Sequence, residues 1–471
     1  MSIFGVVLAA GQGKRMKSKL FKVLHPVCGT PMVGHVVKLL DQMNCEEKIV
    51  VVGHGADAVR GYLGDRVQFA HQQQQLGTGH AVLQAKEQLG DREGLTFVLY
   101  GDTPLIQQDS LTALAALVQG DTAAAVLTAE LAVPTGYGRI LRDESGGLAG
   151  IVEEKECSPE QRAIKEINTG IYCFDNRKLF NVLERVTNHN ATGEYYLTDV
   201  IQLLLEDGHQ VASYLTPDAT EGLGVNDRLA LSVTESIMQQ RINHRHMLAG
   251  VTIKDPAATY IESDVVIGAD TVILPGCSLK GATVIGEDCL IGPLADITDS
   301  TIADKAAIKY STLQETTVGE GTTVGPYANL RPGTKLADKV KVGDFVEIKN
   351  ATLGTGSKVS HLSYIGDAVV GKDVNIGCGA ITVNYDGYNK HVTEIGDHAF
   401  VGSNVNLIAP VVIGEGAFVV AGSTITKDVE ADALAVARER QTNKSGYGAK
   451  LRARMLRKKD NKDTIGTESQ H

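Results

Sequence analysis

Aliphatic residues recur at every sixth position through the second half of the chain, from about Ile261 to Ile425. A strand repeats every two residues and a helix about every 3.6, so neither alone gives a period of six. A short strand followed by a tight turn does, with one aliphatic side chain of each unit pointing inward. Such units stack into a parallel β-helix, and three unbroken runs favour it over a β-sandwich with coincidental spacing. The runs are Ile261, Ile267, Ile273, Leu279, Ile285, Ile291 and Ile297; Val318, Val324, Leu330, Leu336, Val342 and Ile348; and Ile395, Val401, Leu407, Ile413, Val419 and Ile425.

The pattern is different in the first half of the chain, up to about Pro217, where apolar runs alternate with helical segments. This alternation predicts βαβ units and a mostly parallel sheet covered on both faces. Ligands of such sheets gather beyond the carboxyl ends of the strands. A helical pattern from Arg228 to Ala249 predicts one long helix, which either links the two halves or belongs wholly to the first. Strands are predicted at Ile3–Leu8, Lys48–Val52, Thr96–Tyr100 and Ala123–Leu131.

Composition narrows the class of protein. The 471 residues carry a net charge of −11, with 43% hydrophobic and only 5% aromatic residues. The length predicts two or three domains, and the negative charge argues against broad nucleic-acid binding. No apolar run is long enough to span a bilayer, and the N-terminus lacks a signal peptide's layout. The seven cysteines include no CxxC pair, so we expect reduced thiols in the cytoplasm.

Two loops of the first half carry candidate chemistry. Gly11 and Gly13 follow the first strand, and glycines there let backbone N–H groups approach phosphate, with Arg15 and Lys22 supplying positive charge. A plain turn is the alternative. Asp102 closes the apolar strand Thr96–Tyr100, where its carboxylate is well placed to hold Mg²⁺. The alternative there is an Asp that caps the following helix.

The solenoid carries a second set of candidates. His361 lies two residues past the inward-pointing Val359, and so on the surface. Histidine has a pKa suited to a general base, so an exposed histidine on the solenoid is a candidate for proton transfer. The segment from Asn384 to Lys390 interrupts the repeat and predicts a protruding loop. Exposed cations alone would suit solubility, but three of them cluster around the histidine: Arg331, Lys349 and Lys390.

Together these motifs resemble two known families. Leu8-x-x-Gly11-x-Gly13-x-Arg15, with Gly101-Asp102, resembles the sugar-1-phosphate nucleotidyltransferases, and the six-residue repeat resembles the hexapeptide acyltransferases, whose solenoid is a left-handed β-helix. The combination resembles the bifunctional bacterial enzymes that make UDP-N-acetylglucosamine, over nearly the whole chain. Further matching segments are Gln72, Gln75–Gly79, Gly136–Arg139, Glu153, Asn168–Gly170 and Gly224–Asn226.

The resemblance implies an α/β fold class with a Rossmann-like N-terminal domain and a C-terminal left-handed parallel β-helix of hexapeptide repeats. The implied ranges are a uridylyltransferase domain at 1–227, a linker helix at 228–250, an acetyltransferase domain at 251–437 and a partly disordered tail at 438–471. The implied activities are acetyl transfer from acetyl-CoA to glucosamine-1-phosphate, then uridylyl transfer from UTP to N-acetylglucosamine-1-phosphate with release of pyrophosphate. These steps supply peptidoglycan and lipopolysaccharide precursors.

The resemblance also assigns roles in the first domain. Arg15 and Lys22 would act on the phosphates, Gln72 and Gly77 would read uracil, and Asp102 with Asn226 would hold Mg²⁺. Since both reactants are polyanions, alignment and charge stabilisation suffice, and we expect no covalent uridylyl-enzyme. The implied binding residues for UTP and the sugar phosphate are Leu8, Ala9, Ala10, Gly11, Gly13, Lys22, Gln72, Gly77, Thr78, Gly138, Glu153, Asn168 and Asn226.

In the second domain the resemblance makes His361 the catalytic base and Glu347 the carboxylate that orients it. Cys378 departs from the family pattern, which more often has a small residue without a thiol there. It is either a small packed side chain near the thioester or a nucleophile. Relatives form homotrimers with pockets between chains. The substrate residues are Arg331, Lys349, Tyr364, Asn375, Asn384, Tyr385 and Lys390, and the acetyl-CoA residues are Cys378, Ser403, Ala421 and Arg438.

Two alternative functions stay open on the sequence alone. One keeps both domains with another nucleotide or sugar, which Gln72 and the pair Glu153 and Asn168 argue against. The other is a scaffold protein without chemistry, which the intact Asp102 and His361 disfavour. The basic tail after Lys444 is either solvated disorder or, over residues 444–450, a segment that closes on the anionic CoA of a neighbouring chain.

Overall fold

The computed structural model describes residues 1–467, with side chains described through Lys459. It contains two compact units, Met1–Gln314 and the part from Glu315 onward. The strands of the α/β part are β1 Ile3–Ala9, β2 Pro26–Val27, β3 Thr30–Pro31, β4 Glu47–Val52, β5 Gln68–His71, β6 Leu95–Tyr100, β7 Thr122–Glu130, β8 Gly138–Arg142, β9 Leu148–Val152, β10 Glu166–Asp175 and β11 Gln210–Leu215. Its helices are α1 Met32–Gln42, α2 Ala56–Leu63, α3 Thr78–Leu83, α4 Lys86–Leu89, α5 Gln108–Leu117, α6 Pro159–Arg162, α7 Asn176–Leu183, α8 Thr198–Glu206 and α9 Arg228–Leu248.

The first unit contains a mostly parallel sheet, as the sequence predicted. Its strand order is β11-β7-β10-β6-β1-β4-β5, with β8 and β9 attached to β10. Strand β1 pairs in parallel with β4 and β6, and β4 pairs in parallel with β5, whereas β10 is antiparallel to β6 and β7. The four predicted strands are confirmed within one residue at each end. The carboxyl ends of β1, β4, β5 and β6 therefore share one edge of the sheet.

Both faces of this sheet are buried. Along β1 the side chains of Phe4 and Val6 enter one hydrophobic core, and those of Val7 and Ala9 enter the other. Helices cover both faces, which is why the strands of such a sheet are apolar throughout rather than alternating. Because a core covers each face, the sheet is open to solvent at the loops that follow the strand ends.

Helix α9 begins where its N-cap Asp227 accepts a hydrogen bond of 2.9 Å from the Ala230 N–H. It contacts the α/β part through Arg241, whose Nη1 donates to the Leu105 carbonyl at 2.5 Å. It contacts the first coils through Asn243, which donates to the Pro256 carbonyl at 2.9 Å. The helix thus belongs to the first unit together with these coils. The compact units accordingly divide after Gln314, inside the repeats, and not at the ends of this helix.

The coils of the first unit are built from short strands that pair in parallel, each with a strand one full coil away. Tyr260 pairs with Ser278, and Val266 pairs with Val284. The inward aliphatic residues of the first run are all buried, as predicted. The strands are β12 Thr252–Ile253, β13 Tyr260–Ile261, β14 Val266–Ile267, β15 Val272–Ile273, β16 Ser278–Lys280, β17 Val284–Ile285, β18 Leu290–Ile291, β19 Asp296–Thr298, β20 Thr301–Ile302, β21 Ala307–Ile308 and β22 Thr312–Gln314.

The second unit continues the same construction and also confirms the predicted solenoid. The inward residues of its two aliphatic runs are buried, with Ile348 and Val401 at 0% exposure. The strands are β23 Thr317–Val318, β24 Thr323–Val324, β25 Asn329–Leu330, β26 Lys335–Leu336, β27 Lys341–Lys349, β28 Thr352–Leu353, β29 Lys358–Gly366, β30 Ala368–Val370, β31 Asn375–Ile376, β32 Ile381–Val383, β33 Thr393–Ile395, β34 Phe400–Val401, β35 Asn406–Ile408, β36 Val411–Ile413, β37 Phe418–Val419, β38 Thr424–Ile425 and β39 Leu434–Ala435.

The basic tail forms a helix, α10, over Tyr447–Thr467. Its side chains are exposed as far as they are described, through Lys459. The sequence predicted partial disorder for the tail, and over Tyr447–Thr467 the structure has a helix instead, because lysine, arginine, alanine and leucine there are good helix formers. Residues 468–471, to which part of that prediction applies, lie outside the described residues.

Candidate active sites

The loop after β1 folds tightly enough to bring Lys22 against Gly13. Gly13 has a left-handed backbone with φ of 61°, and a Cβ at this position would lie 2.5 Å from the Cβ of Lys22. Only glycine tolerates both the conformation and the close approach. Short 3-10 turns at Lys14–Met16 and Lys22–Leu24 then anchor the loop, with Met16 buried beneath it. The loop thereby positions Lys22 at the carboxyl edge of the sheet.

Lys22 contacts an acidic and an amide side chain at this edge. Its Nζ forms an ion pair with Asp102, which follows β6, and lies 2.8 Å from Oδ1 of Asn226. The side chains of Lys22 and Asp102 are only 13% and 16% exposed. The Val225 N–H donates to the Asp102 carbonyl at 3.0 Å, which fixes the segment that carries Asn226. Two side-chain oxygens therefore converge on one positive charge.

Asp102 does not cap the following helix. Helix α5 begins at Gln108, and its N-cap, Gln107, makes no side-chain capping bond. The alternative interpretation of Asp102 as a helix cap is therefore wrong. Its partner is Lys22, from a loop that only the fold brings near.

A second loop joins the site after β5. The Gln75 amide nitrogen donates to the Ala10 carbonyl at 2.5 Å and so ties this loop to the first one. Gly77 has φ of 117°, and a Cβ there would lie 2.5 Å from the Tyr195 carbonyl oxygen. The segment before α3 is thus clasped by the chain around Tyr195, whose N–H donates to the Leu76 carbonyl at 2.8 Å. This clasp holds Gln72 and Gly77 on one wall.

These loops surround a cavity of about 730 Å³. Its volume suits a ligand of nucleotide size. The structure brings most of the sequence-predicted residues of the first domain to its wall, namely Leu8, Ala9, Ala10, Gly11, Arg15, Lys22, Gln72, Gly77, Thr78, Asp102 and Asn226. The predicted residues that do not line this cavity are Gly13, Gly138, Glu153 and Asn168.

Three of those four residues form a neighbouring group. Gly138 is in register with Asn168 across β8 and β10, and the Thr198 hydroxyl donates to Glu153 at 3.1 Å. Burial is the main cause that raises the pKa of Glu153 above its ordinary value, with Glu156 and Glu194 adding to it. Tyr100 lines the cavity. Burial is the largest cause that raises the pKa of its hydroxyl, and the charge of the nearby Glu153 is the second. The group therefore lies beside the cavity, around Tyr100.

Sequence reasoning missed part of the cavity wall. These residues have no charged signature, or they lie in loops whose closure depends on tertiary pairing. Tyr100 was predicted only as the end of a strand, and Glu194 lies in a loop that the βαβ rhythm did not assign. The wall residues outside the predicted residues and the matching segments are Val23, Ala81, Tyr100, Thr103, Thr135, Glu194, Gly222, Asp227 and Ala230.

In the second unit, His361 lies on the surface of the solenoid, with 61% of its side chain exposed. Its Nδ1 is 2.6 Å from Oδ1 of Asp344, which stands directly opposite on the preceding coil. The hydrogen bond to His361 is the largest cause that lowers the pKa of Asp344, so this carboxylate is ionised at neutral pH. The prediction that Glu347 orients His361 is therefore wrong, because Asp344 occupies that position.

Glu347 has a different neighbour because of the coil register. It stands opposite Tyr364, and its Oε1 accepts from Nη1 of Arg331 at 2.8 Å. The repeat pattern alone does not distinguish Glu347, beside the inward Ile348, from Asp344. Asp344 precedes His361 by 17 positions, about one coil, and this spacing was the available signal.

Two of the three predicted cations, Lys349 and Lys390, lie around a buried carboxylate, Asp367. Burial alone would raise the pKa of Asp367, but hydrogen bonds from Asn350 and Asn384 and the charges of Lys349 and Lys390 outweigh it and lower the pKa. Contact with Lys349, through a hydrogen bond and through charge, lowers the pKa of Lys390. Two ammonium groups are therefore held close together, an arrangement that favours an anion between them.

The predicted loop from Asn384 is exposed from Tyr385 to Lys390, whereas Asn384 itself is 8% exposed. Asp386 shapes its tip by accepting from the N–H groups of Tyr388 and Asn389 at 2.8 and 2.7 Å. Asn384 bonds Asp367 instead of projecting with the loop. The loop thus stands beside Lys349 while its base is fixed to the coils.

The predicted acetyl-CoA residues follow one another along neighbouring coils. The Asn404 N–H donates to the Cys378 carbonyl at 2.7 Å, and the Gly422 N–H donates to the Ser403 carbonyl at 2.8 Å. Ala421 adjoins Gly422, and the Arg438 side chain passes 3.7 Å from the position of a Gly422 Cβ. Cys378 is an exposed free thiol. The remaining predicted substrate residues, Tyr364 and Asn375, are half-buried on β29 and β31.

Three protein-family models match the chain. Residues 5–166 match the MobA-like NTP transferase domain, residues 261–352 the GMPPB C-terminal domain, and residues 393–427 the bacterial transferase hexapeptide repeat. Fold and sites together thus define a two-domain transferase, with a nucleotidyltransferase domain ahead of a hexapeptide acyltransferase domain. The hexapeptide match agrees with the predicted left-handed β-helix and confirms the predicted fold class.

The chain belongs to the family of bifunctional GlmU proteins. The bifunctional protein GlmU of Geobacillus sp. (strain WCH70) is 55% identical over 449 residues, 95% of this chain and 98% of that relative. That of Brevibacillus brevis is 56% identical over 450 residues, with the same shares covered. That of Enterococcus faecalis is 53% identical over 449 residues, again 95% and 98%. The resemblance to the bifunctional enzymes that make UDP-N-acetylglucosamine is thus confirmed. The chain is a bifunctional uridylyltransferase and acetyltransferase of UDP-N-acetylglucosamine synthesis.

Within residues 1–467, no helix combines the length and the apolar character that crossing a membrane requires.

Proposed function

We propose that UTP and N-acetylglucosamine-1-phosphate react in the cavity of the first unit. The single observation that carries this is the convergence of Lys22, Asp102 and Asn226 at the glycine-rich edge of the sheet. Arg15 and Lys22 lower the repulsion between two polyanions, and the backbone from Leu8 to Gly11 lies along the phosphates. The sugar phosphate attacks the α-phosphate in line, so pyrophosphate leaves without an enzyme-bound intermediate.

Asp102 and Asn226 would hold Mg²⁺. Their side-chain oxygens already converge on the Lys22 ammonium, so the donor set fits a cation that prefers oxygen ligands. When bound, Mg²⁺ supplies charge neutralisation on the phosphate oxygens. Lys22 keeps its own positive charge within reach of the same phosphates. Gly138, Glu153 and Asn168 would bind the N-acetylglucosamine, and Gln72 and Gly77 the uracil.

In the second unit, His361 would act as the general base of acetyl transfer. Its Nε2 removes a proton from the amine of glucosamine-1-phosphate while that nitrogen attacks the thioester carbonyl. An N–C bond forms, the C–S bond breaks, and the departing CoA thiolate takes up the proton from His361 to leave as a thiol. Asp344 accepts the proton at Nδ1 of His361 in a hydrogen bond and so keeps Nε2 free to act as the base.

The surrounding residues would bind the two substrates of this step. Arg331, Lys349 and Lys390 form the phosphate site, with Tyr364 and Asn375 at the sugar. Asn384 and Tyr385 flank the acetyl group. The CoA site comprises Cys378, Ser403, Ala421 and Arg438.

We further propose a homotrimer. Tyr327 and Phe345 stack with 5.5 Å between ring centroids on one corner of the second unit, and Phe345 and Leu362 are 59% and 60% exposed there. Exposed apolar side chains in one row suit an interface between copies. Functionally, residues 1–227 would serve uridylyl transfer and residues 251–437 acetyl transfer. The free thiols of the seven cysteines suit the reducing cytoplasm.

One incubation tests the whole proposal. The purified protein receives glucosamine-1-phosphate, acetyl-CoA, UTP and Mg²⁺, and the nucleotide sugar is identified by mass spectrometry. We expect UDP-N-acetylglucosamine. The His361→Ala variant should lose acetylation by about 10²–10⁴-fold yet still convert supplied N-acetylglucosamine-1-phosphate, and Lys22→Ala should show the reverse pattern. A protein that releases no pyrophosphate from UTP and sugar phosphate would instead support a scaffold role.

A further inference from the structure

The side-chain amide of Gln72 is fixed by two acceptors of the protein. Gln72 follows β5, is 4% exposed and lines the cavity of the first unit. Its Nε2 lies 3.1 Å from the Gly77 carbonyl oxygen and 3.0 Å from Nδ1 of His80. A carbonyl oxygen only accepts, so the nitrogen end of the amide points toward Gly77. Both amide hydrogens are then engaged.

This arrangement defines the protonation of His80. Because Nδ1 receives a hydrogen from Gln72, the ring is neutral and its own hydrogen sits on Nε2. Burial lowers the pKa of His80, which favours the same neutral form. The Gln84 amide nitrogen, 3.4 Å from Nε2, directs its hydrogen to the His80 main-chain oxygen at 2.8 Å. Gln84 therefore does not compete for Nδ1.

His80 itself is held in place from the other side. It lies on α3, where the Gly79 N–H donates to the Tyr195 carbonyl at 2.8 Å and the Thr78 hydroxyl accepts from the Leu197 N–H at 3.0 Å. The His80 ring also faces the Tyr195 ring with 6.2 Å between centroids. The ring thus forms a rigid support behind Gln72, outside the cavity wall.

With both hydrogens engaged, Oε1 is the atom of Gln72 that remains to meet a ligand, and it only accepts. Turning the amide over would set Oε1 against two acceptors, the Gly77 oxygen and the His80 Nδ1. Without His80, turning the amide over would cost only the hydrogen bond to the Gly77 oxygen. That oxygen also accepts from the Ala81 N–H at 3.1 Å. The histidine adds a second penalty as long as its own hydrogen stays on Nε2, and both contacts then favour the same orientation of the amide.

We propose that His80 is a positioning residue that sets nucleobase choice by holding the Gln72 amide with its oxygen toward the base. A uracil ring presents an N3–H that donates to this oxygen, whereas a cytosine ring presents an unprotonated N3 that repels it. The inference rests on the proposed function, in which Gln72 contacts the base of UTP. It adds a residue that touches no substrate and acts only through another side chain.

The test compares UTP with CTP as uridylyl- or cytidylyl-donor to N-acetylglucosamine-1-phosphate, as the ratio of kcat/KM values. We expect His80→Ala to lower the UTP preference by about tenfold or more. The Gln72 amide could then turn over, and its buried oxygen would no longer reject CTP. His80→Asn, whose Oδ1 replaces the Nδ1 acceptor, should restore most of the preference. Gln84→Ala is the matched control: it removes a neighbour of His80 that does not contact Gln72, and should leave the ratio unchanged.

The outcomes separate this inference from the proposed function. If His80→Ala keeps the wild-type ratio while Gln72→Ala loses it, the role of His80 is overturned and uracil reading by Gln72 stands. If Gln72→Ala also keeps the ratio, uracil reading fails and the inference fails with it.

A second measurement reports the protonation of His80 in the wild-type protein directly. In wild-type protein labelled with ¹⁵N-histidine, the His80 resonances, assigned by difference from His80→Asn, should show an unprotonated Nδ1 and a protonated Nε2 at neutral pH. A protonated Nδ1 would overturn the inference.

Discussion

Oδ1 of Asp344 lies 2.6 Å from Nδ1 of His361, across two adjacent coils of the solenoid. Strands β27 and β29 place the two residues directly opposite each other. The pair is exposed to solvent, with 61% and 40% of the His361 and Asp344 side chains accessible. We therefore expect the pair to orient the imidazole rather than to stabilise the fold.

Asp344→Asn should lower kcat of acetyl transfer by about 10- to 100-fold while the KM for glucosamine-1-phosphate stays unchanged, because the amide no longer stabilises the charged imidazole. The pKa of Asp344 is lowered below its ordinary value, so the carboxylate is ionised above that pKa and its contribution is lost only as pH falls through it. Steady-state kinetics from pH 6 to 9 should show the loss across this whole interval.

Asp373→Asn provides the matched control, since Asp373 lies 3.9 Å from another exposed histidine, His398, on the same solenoid. It should leave acetyl transfer unchanged. An Asp344→Asn enzyme with the wild-type kcat would show that this contact is a surface pair without a role in the reaction.

Removal of divalent metal should separate the two activities. Excess EDTA should suppress pyrophosphate release from UTP by more than about 100-fold, because the proposed Mg²⁺ neutralises phosphate charge and the oxygens of Asp102 and Asn226 cannot replace it. Acetylation, followed as free CoA thiol, should continue at its original rate. Asp102→Asn should reproduce the same pattern without chelator, and an equal loss of both activities would contradict separate sites.

Cys378→Ala should leave acetyl transfer within about twofold of wild type, since direct attack of the amine needs no acyl-enzyme. Cys378 is the exposed one of the seven free thiols, so alkylation with a bulky reagent should still inhibit by blocking the CoA site. Intact-mass spectrometry during turnover checks the same point. An acetylated wild-type chain that is absent in Cys378→Ala would establish a thiol nucleophile instead.

Phe345→Glu should dissociate the proposed trimer, because a carboxylate would be placed within the row formed by Tyr327 and Leu362. Light scattering coupled to size-exclusion chromatography should report the mass of one chain. Acetyl transfer should fall with it, while uridylyl transfer persists. The control is Val369→Glu, which alters a residue of β30 that is 54% exposed and should leave the mass unchanged. An unaltered mass for Phe345→Glu would place the interface elsewhere.

Asp199 gives a pH-dependent stability prediction. Burial, followed by the charges of Glu156 and Glu153, raises its pKa to about 6. A carboxyl whose pKa is raised on folding favours the folded state when protonated, and this advantage is lost as pH rises through about 4 to 6. Asp199→Asn should therefore raise the Tm of the first unit by about 2–4 °C at pH 8 and leave it unchanged near pH 4.

Differential scanning calorimetry at both pH values measures this difference. Asp109→Asn serves as the control, since Asp109 occupies the first turn of α5 as Asp199 does in α8, but is exposed. An equal Tm change for Asp199→Asn at both pH values would attribute it to the amide itself and not to the removed charge.

The sequence predicted the fold where one periodicity ruled a long segment. Aliphatic residues such as Ile348 alternate with polar neighbours at a fixed interval, so their inward direction follows without any knowledge of pairing. The outward position of His361 followed from the same argument. Its partner did not, because Asp344 and Glu347 are both outward carboxylates on one strand. Only the register between coils decides which of them meets the histidine.

The first site shows the same limit. Strand ends and glycines located the loop of Gly13 and the carboxylate of Asp102, and the alternative of a helix cap could be rejected only once α5 was seen to begin at Gln108. The contact between Gln72 and His80 has no sequence signal, since an amide and an imidazole eight positions apart are ordinary in a loop and helix. The amide orientation depends on the Gly77 carbonyl, which only the folded backbone defines.

The loop between β32 and β33 departs from the spacing of the coils around it. Leu353 pairs with Val370, 17 positions later, whereas Val370 pairs with Ile395, 25 positions later, and the parallel register is kept. A peptide added at a corner thus leaves the parallel pairing of the coils intact. Exchanging this one corner for a peptide of another length offers an engineer a route to transferases that accept different phosphorylated amines on an unchanged scaffold.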